Sequence, residues 1–264
     1  WFPSISGGWV PTQYDWYRNL LPFNNFLKFR ASWGRVGNDR LKDENGNDIR
    51  FPYLTTLGNV SSTWGTGLAE NRTGSMNLKW EVSTKTNFGI DARFFDDKVD
   101  MTVDFFHTKT TDIFQRRANI PDEGGLSNVL PYANIGSMKS WGMDGTLAYT
   151  HTFNKDMALT VRGNFTHAEN EVIYWEQSGV NYPYQSNSGV PYKVQRGLIA
   201  LGLFKDEDDI KSSPKQTFMD NYRPGDIKYK DVNGDGKIDK DDVVPLNYSA
   251  VPFIQYGFAL DWNY

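Results

Sequence analysis

The sequence predicts an all-β fold, an antiparallel transmembrane β-barrel segment of about seven strands with long extracellular loops. Three observations carry this reading. Mean hydropathy is −0.59, as for a chain bathed in water, yet 15% of residues are aromatic, with 9 Trp, 14 Tyr and 17 Phe. Apolar and polar side chains alternate with period two through most of the chain. Short and long connections also alternate. A sheet with one face on lipid and the other on water, its average diluted by polar loops, accounts for all three.

Taken in order, the opening PSISGGWV reads as a weak strand, and residues 11–25 as a longer turn. Leu27, Phe29, Ala31 and Trp33 then alternate with Lys28, Arg30 and Ser32. In TNFGIDARFF (86–95), Phe88, Ile90, Ala92 and Phe94 share one face, and Asn87, Asp91 and Arg93 the other. A tight turn at Asp96, Asp97 and Lys98 returns the chain as a second hairpin arm, with Val99, Met101, Val103 and Phe105 against Asp100, Thr102 and Asp104. Trp141, Met143, Leu147, Tyr149 and Phe153 repeat the pattern. After the turn at 154–156, so do Met157, Leu159, Val161 and Phe165. The end of the chain places Ile254, Tyr256, Phe258, Leu260, Trp262 and Tyr264 on one face.

The long connections are 37–82, 109–134 and 171–251, all rich in Gly, Asn and Pro. Some strands approach twenty residues, beyond the ~9–11 that cross a bilayer, and so project above it. Seven strands cannot enclose a lumen, since the narrowest barrels need ~8, and lipid does not tolerate open edges. The chain is therefore expected to be part of a larger barrel, with residues 1–264 lying within a single barrel domain. The alternative is a secreted, calcium-stapled, carbohydrate-binding β-sandwich, whose strands also alternate.

Several classes fall away. A net charge of −4 and a pI of about 5.4 leave no basic footprint for nucleic acid. Without cysteine there are no disulfides and no thiolate metal sites. No apolar run is long enough for a transmembrane helix. The opening WFPSISGGWV carries no starting Met or signal sequence, as expected of a mature or excised piece. His107, His151 and His167 form no ligand pair, and hydrolase-elbow and nucleotide motifs are missing, so no enzyme is expected.

The segments WFPSISGGWV and FLKFRASWGRVGN (26–38) resemble conserved-pattern stretches of SusC/RagA-type TonB-linked outer-membrane transporters. So does NLKWEVSTKTNFGIDARFFDDKVDMTVDFFHTKTTDIF (77–114). NIGSMKSWGMDGTL (134–147) does too, with Asp144 where that family more often has Glu. YRPGDIKYKDVNGDGKIDKDD (222–242) and Ser249–Tyr264 continue the series in order. The resemblance implies a barrel of about 22 strands in the outer membrane of a Gram-negative bacterium, with a plug in its lumen. It implies import of oligosaccharides (glycans) or peptides, driven by TonB, beneath a SusD-like surface lipoprotein. The chain corresponds to a middle-to-late barrel portion, and nothing in it matches the plug, the TonB box or the closing strand. Asp91, Arg93, Asp104, Asp144, Arg162 and Asp261 are then expected on the lumenal face.

Residues 231–242, DVNGDGKIDKDD, follow the spacing of an EF-hand or dockerin-type loop. Asp231, Asn233 and Asp235 offer side-chain oxygens, Lys237 its backbone carbonyl, Asp239 a direct or water-bridged contact and Asp242 a carboxylate at position 12. Gly236 permits the sharp turn at position 6. Hard oxygen donors at this spacing suit Ca²⁺, and Asp242 is shorter than the usual Glu. Pro245 disfavours an exiting helix, so there is no helix pair for an ion to move. The expected role is a structural clamp on the 171–251 loop. The acidic run Lys205–Asp209 reads as a solvated face. Trp64, Tyr132, Tyr174, Trp175, Tyr182, Tyr184 and Tyr192 either stack on sugars or contact a lid protein, or pack the loops against each other.

Overall fold

The computed structural model describes residues 1–42, 46–63, 65–120 and 129–264; Trp64 therefore lies outside the described residues. Seven strands form one antiparallel sheet: β1 (Ser4–Trp9), β2 (Asn24–Asn38), β3 (Glu81–Phe94), β4 (Val99–Arg116), β5 (Tyr132–Asn154), β6 (Met157–Tyr174) and β7 (Ile254–Asn263). They neighbour one another in chain order, and β1 and β7 each pair on one side only, so the barrel is not closed. The fold class and strand count read from the sequence are those observed.

Register gathers side chains into rows. Phe29, Ile90, Val103, Gly145, Phe165 and Tyr256 stand opposite one another from β2 to β7. The next row is Leu27, Ala92, Met101, Leu147, Gly163 and Phe258. Most of this outward face is uncovered: Phe258 is 81% and Phe88, in a neighbouring row, 43% exposed, Val103 and Leu159 are half-buried, and the small Ala92 is covered. Among the described residues no second layer buries them, which sets the sandwich alternative aside.

On β5 the outward apolar positions run from Met143 to Phe153. Those ten steps cover about 33 Å of strand. At a tilt of about 40° they span about 25 Å, the height of a barrel's lipid band. Aromatic rings close the band at both ends. Phe23 stacks on Phe94 and Phe95, and Phe153 meets Trp262, at the tight-turn end. Trp33 and Trp141 stand at the other end, in the row of Thr86 and His107.

Two connections are shorter than expected. β4 runs to Arg116 and β5 starts at Tyr132, so the 109–134 loop shrinks; β6 runs to Tyr174, past the expected start of the 171–251 loop. Above the lipid band a strand needs no apolar alternation to keep pairing, so the polar stretch after Lys109 stays in the ladder. Asp112, at φ +56°, absorbs a register shift there. Phe114 stacks on Tyr132 at 4.6 Å and is buried.

Residues 177–251 form a second compact unit. Ala200–Leu203 pairs with Ile227–Tyr229, Lys215–Gln216 runs parallel to Lys237–Ile238, and Val194–Gly197 pairs with Val244–Ser249. Its core is small: Phe204, Ile238 and Val244, with Gln216 and Asp242 buried among them.

Candidate functional site

On the inner face, register places Asp91, Arg93, Asp104, Asp144, Arg162 and Asp261 together, all opposite to the apolar rows. The organising residue is one the sequence did not single out. Arg30 donates from Nε and Nη2 to the two oxygens of Asp91, at 2.8 and 2.9 Å, and from Nη2 to Asp104 at 2.9 Å. The guanidinium lies over Gly89, which faces Arg30 on one side and Asp104 on the other. A Cβ on Gly89 would sit 2.5 Å from Asp104 Oδ1 and 2.6 Å from Arg30 Cζ, so any other residue there would push these two side chains out of this arrangement. Asp144, directly opposite Asp104, adds a further carboxylate, so this wall is acidic on balance. Arg93 instead pairs with Asp97 at 3.4 Å and lies over the Phe26 ring.

The second site is the 231–242 loop. Asp231 turns both oxygens inward, accepting from the backbone N–H of Gly234 at 2.6 Å and of Gly236 at 2.9 Å. Gly234 and Gly236 have φ of +78° and +82°, the left-handed conformation that favours glycine. Asn233 Oδ1 accepts from Asp235 N, Asp235 Oδ1 from Lys237 N, and Asp239 Oδ1 from Asp241 N. Asp242 is fully buried. Its Oδ1 accepts from Val232 N at 2.7 Å and its Oδ2 from Asp239 N at 2.9 Å, so position 12 joins the two ends of the loop. Gly236 O and Ile238 O accept from the neighbouring segment, which turns the Lys237 carbonyl to the opposite edge. Among the described residues no three Asp, Glu or His side chains converge as a ready metal cluster. The carboxylates instead hold the backbone.

Tyr182 and Tyr184 stack at 5.3 Å, and Tyr184 donates to the Asp241 carbonyl at 2.7 Å. Burial and the surrounding carboxylates push the Tyr184 hydroxyl above its ordinary pKa. Both rings pack the loop. Asp206 caps the Glu207–Ser212 helix, accepting from the N–H groups of Asp208 and Asp209. Asp209 pairs with Lys228 at 2.7 Å. The 205–209 run is exposed from Lys205 to Asp208, as a solvated face is, and it also supplies a helix cap and an ion pair. The three histidines stand on the outward face in separate rows, His107 opposite Trp141, His151 opposite Leu159 and His167 opposite Met143. They do not converge.

A family model described as TonB dependent receptor-like, beta-barrel matches residues 1–262. TonB-dependent receptor P39 of Formosa agariphila is 30% identical over 90% of this chain and 25% of its own length. TonB-dependent receptor SusC of Bacteroides thetaiotaomicron is 24% identical over 91% of this chain and 24% of its own. Among solved structures, the RagAB peptide importer in its closed-closed state matches with a TM-score of 0.70 at 21% identity, covering 100% of this chain and 28% of that one. The chain spans about a quarter of the length of the curated relatives it matches.

Proposed function

The chain belongs to the TonB-dependent receptor-like β-barrel family of outer-membrane proteins, which are receptors and transporters and not enzymes, and we propose that it forms wall and external loops of a nutrient importer. The cargo is an oligosaccharide or a peptide, moved through a gated lumen with TonB as the source of energy and a SusD-like lipoprotein as the lid. One observation carries this reading: a single sheet whose outward rows are uncovered and apolar over about 25 Å, and whose inward rows are charged. The peptide arm is supported by the solved relative described as a peptide importer. Tagged full-length protein extracted from outer membranes should bring down a lipoprotein in stoichiometric amount. A deletion strain should lose uptake of labelled oligosaccharide or of labelled peptide. A barrel that purifies alone from a strain with normal uptake of both contradicts the proposal.

We further propose that Asp231, Asn233, Asp235, the Lys237 carbonyl, Asp239 and Asp242 hold one structural Ca²⁺. The donor set is all hard oxygen at EF-type spacing, and both glycine turns are in place. Each carboxylate oxygen that accepts one N–H keeps a lone pair for a cation. Five carboxylates within twelve residues repel one another, and an ion relieves that. Chelation should open residues 177–251 to trypsin, added Ca²⁺ should close them, and Asp231→Asn should remove the response. Identical cleavage with and without chelator contradicts the site.

A further inference from the structure

The outward face does not end at the aromatic row. One row further from the lipid band, Arg35, Thr84, Lys109, Lys139 and Glu171 stand opposite one another across β2 to β6. Lys109 and Lys139 are direct cross-strand partners. Like charges so placed destabilise a sheet unless something neutralises them. The nearby acids offset only part of this charge. Glu171 is engaged by Lys139 at 2.9 Å and Glu169 by His167 at 3.3 Å. Among the described residues, no carboxylate lies within ion-pair distance of Lys109 or Arg35, and both are exposed. Lys139 also sits 5.3 Å from the Trp141 ring, which holds its ammonium at the level where the lipid band gives way to water.

Below this row the face carries an open depression of ≈ 340 Å³, lined by Met101, Val103, Met143, Leu147 and Phe165. It exists because Gly145 and Gly163, in adjacent rows, supply no side chains to fill it. From Lys139 to Gly145 is six residues, about 20 Å along the strand. A cationic row at the interface and an apolar trough one chain-length beneath it match an amphiphile with a phosphate at its head. A soluble anion would have no use for the trough, and an apolar molecule none for the lysines.

We propose that Arg35, Lys109 and Lys139 bind the phosphate of an acylated lipid of the outer leaflet, one of whose chains lies in the Gly145–Gly163 depression. Lysine retains spare donors for this: Lys139 can hold Glu171 with one N–H and phosphate with another. The inference depends on the membrane placement of the sheet and goes beyond the identity of the cargo, so a failed uptake assay leaves it standing.

The test uses full-length protein, delipidated in detergent, and native mass spectrometry. The probes are an acylated disaccharide lipid carrying phosphates, its dephosphorylated counterpart, and inorganic phosphate alone. The phosphorylated lipid should be retained, and the other two should be held far less. The Lys109→Ser/Lys139→Ser double variant should weaken retention roughly thirtyfold, from about one surface increment per lysine. Lys109→Arg/Lys139→Arg should keep it. Gly163→Leu fills the trough without touching a charge, because a Cβ there meets nothing nearer than Gly257 O at 4.0 Å; it should also weaken retention. All these positions face outward, so the unliganded variants should still unfold cooperatively as intact barrels, and lost retention is then not a folding defect. Equal retention by the serine variant, or equal binding of the dephosphorylated lipid or of inorganic phosphate, overturns the proposal.

Discussion

Leu147 and Leu201 are almost equally exposed, at 53% and 58%, but to different surroundings. Leu147 stands in an outward row of the sheet between Met101 and Gly163. Leu201 lies in a two-stranded piece of the 177–251 unit. The sheet buries few apolar side chains, Ala92, Phe114 and Val172 among them, although its strands are long and aromatic. The loop unit, far more polar, builds a water-excluding core around Ile238. The difference teaches that accessible area measures stability only once the solvent is known. Lipid completes the sheet's hydrophobic burial, whereas the loop unit must supply its own.

The largest effect expected from this contrast is in the loop. Ile238→Ala should cost the 177–251 unit about 2–5 kcal/mol, the range for a fully buried Ile. Pulse proteolysis of the loop should report it, with denaturant unfolding of the barrel unchanged within about 0.5 kcal/mol. Next comes the same change made in both regions. Leu147→Arg should destabilise the barrel by about 2–4 kcal/mol, as charges on a lipid face do. Leu201→Arg should move the loop unit by no more than about 0.5 kcal/mol. If the two leucines respond alike in equilibrium unfolding, the distinction between their surroundings is wrong.

Much of the sheet was legible because period two is a local signal. Phe88 to Phe94 and Val99 to Phe105 declare their faces without reference to the rest of the chain. What depended on partners was not legible. Arg30 reads as one more polar residue until register sets it diagonally across from Asp91 and in line with Asp104, over Gly89. The polar ends of β4 and β5 look like loop because water, not lipid, surrounds them. In the loop unit, the acidic 231–242 segment drew attention to its oxygens and away from Ile238, its one large apolar residue besides Val232. That isolation was a signal for an anchor. Likewise, Asp206 three residues before Asp209 carried a helix-cap pattern inside what read as a charge run.

Two smaller predictions sharpen the loop half of the contrast. Asp242→Asn removes the charge behind its bonds to Val232 N and Asp239 N. Hydrogen bonds to charged groups are worth about 1.5–3 kcal/mol, which is the upper limit for the loss seen by hydrogen exchange in 231–242. The smallest effect concerns acid. The Lys228 ammonium, with the Lys205 N–H, holds the Asp209 carboxyl below the usual carboxylate range. A carboxyl depressed in the folded state contributes stability above its unfolded value near about 4, and that contribution disappears as pH falls through the folded value. Proteolysis of the loop should therefore rise toward pH 3, and less steeply in Asp209→Asn. An unchanged acid profile in that variant removes Asp209 from the account.

The most direct test places nitroxide labels singly at Asp144, Thr146, Leu147, Ala148 and Tyr149 of the full-length protein in bilayers. Collision with oxygen, which concentrates in hydrocarbon, is compared with collision with a water-soluble nickel chelate. Oxygen should dominate at 147 and 149 and the chelate at 144, 146 and 148, switching with every residue. A label at 147 shielded from both reagents, or no alternation along β5, would contradict a sheet with lipid on one side and water on the other.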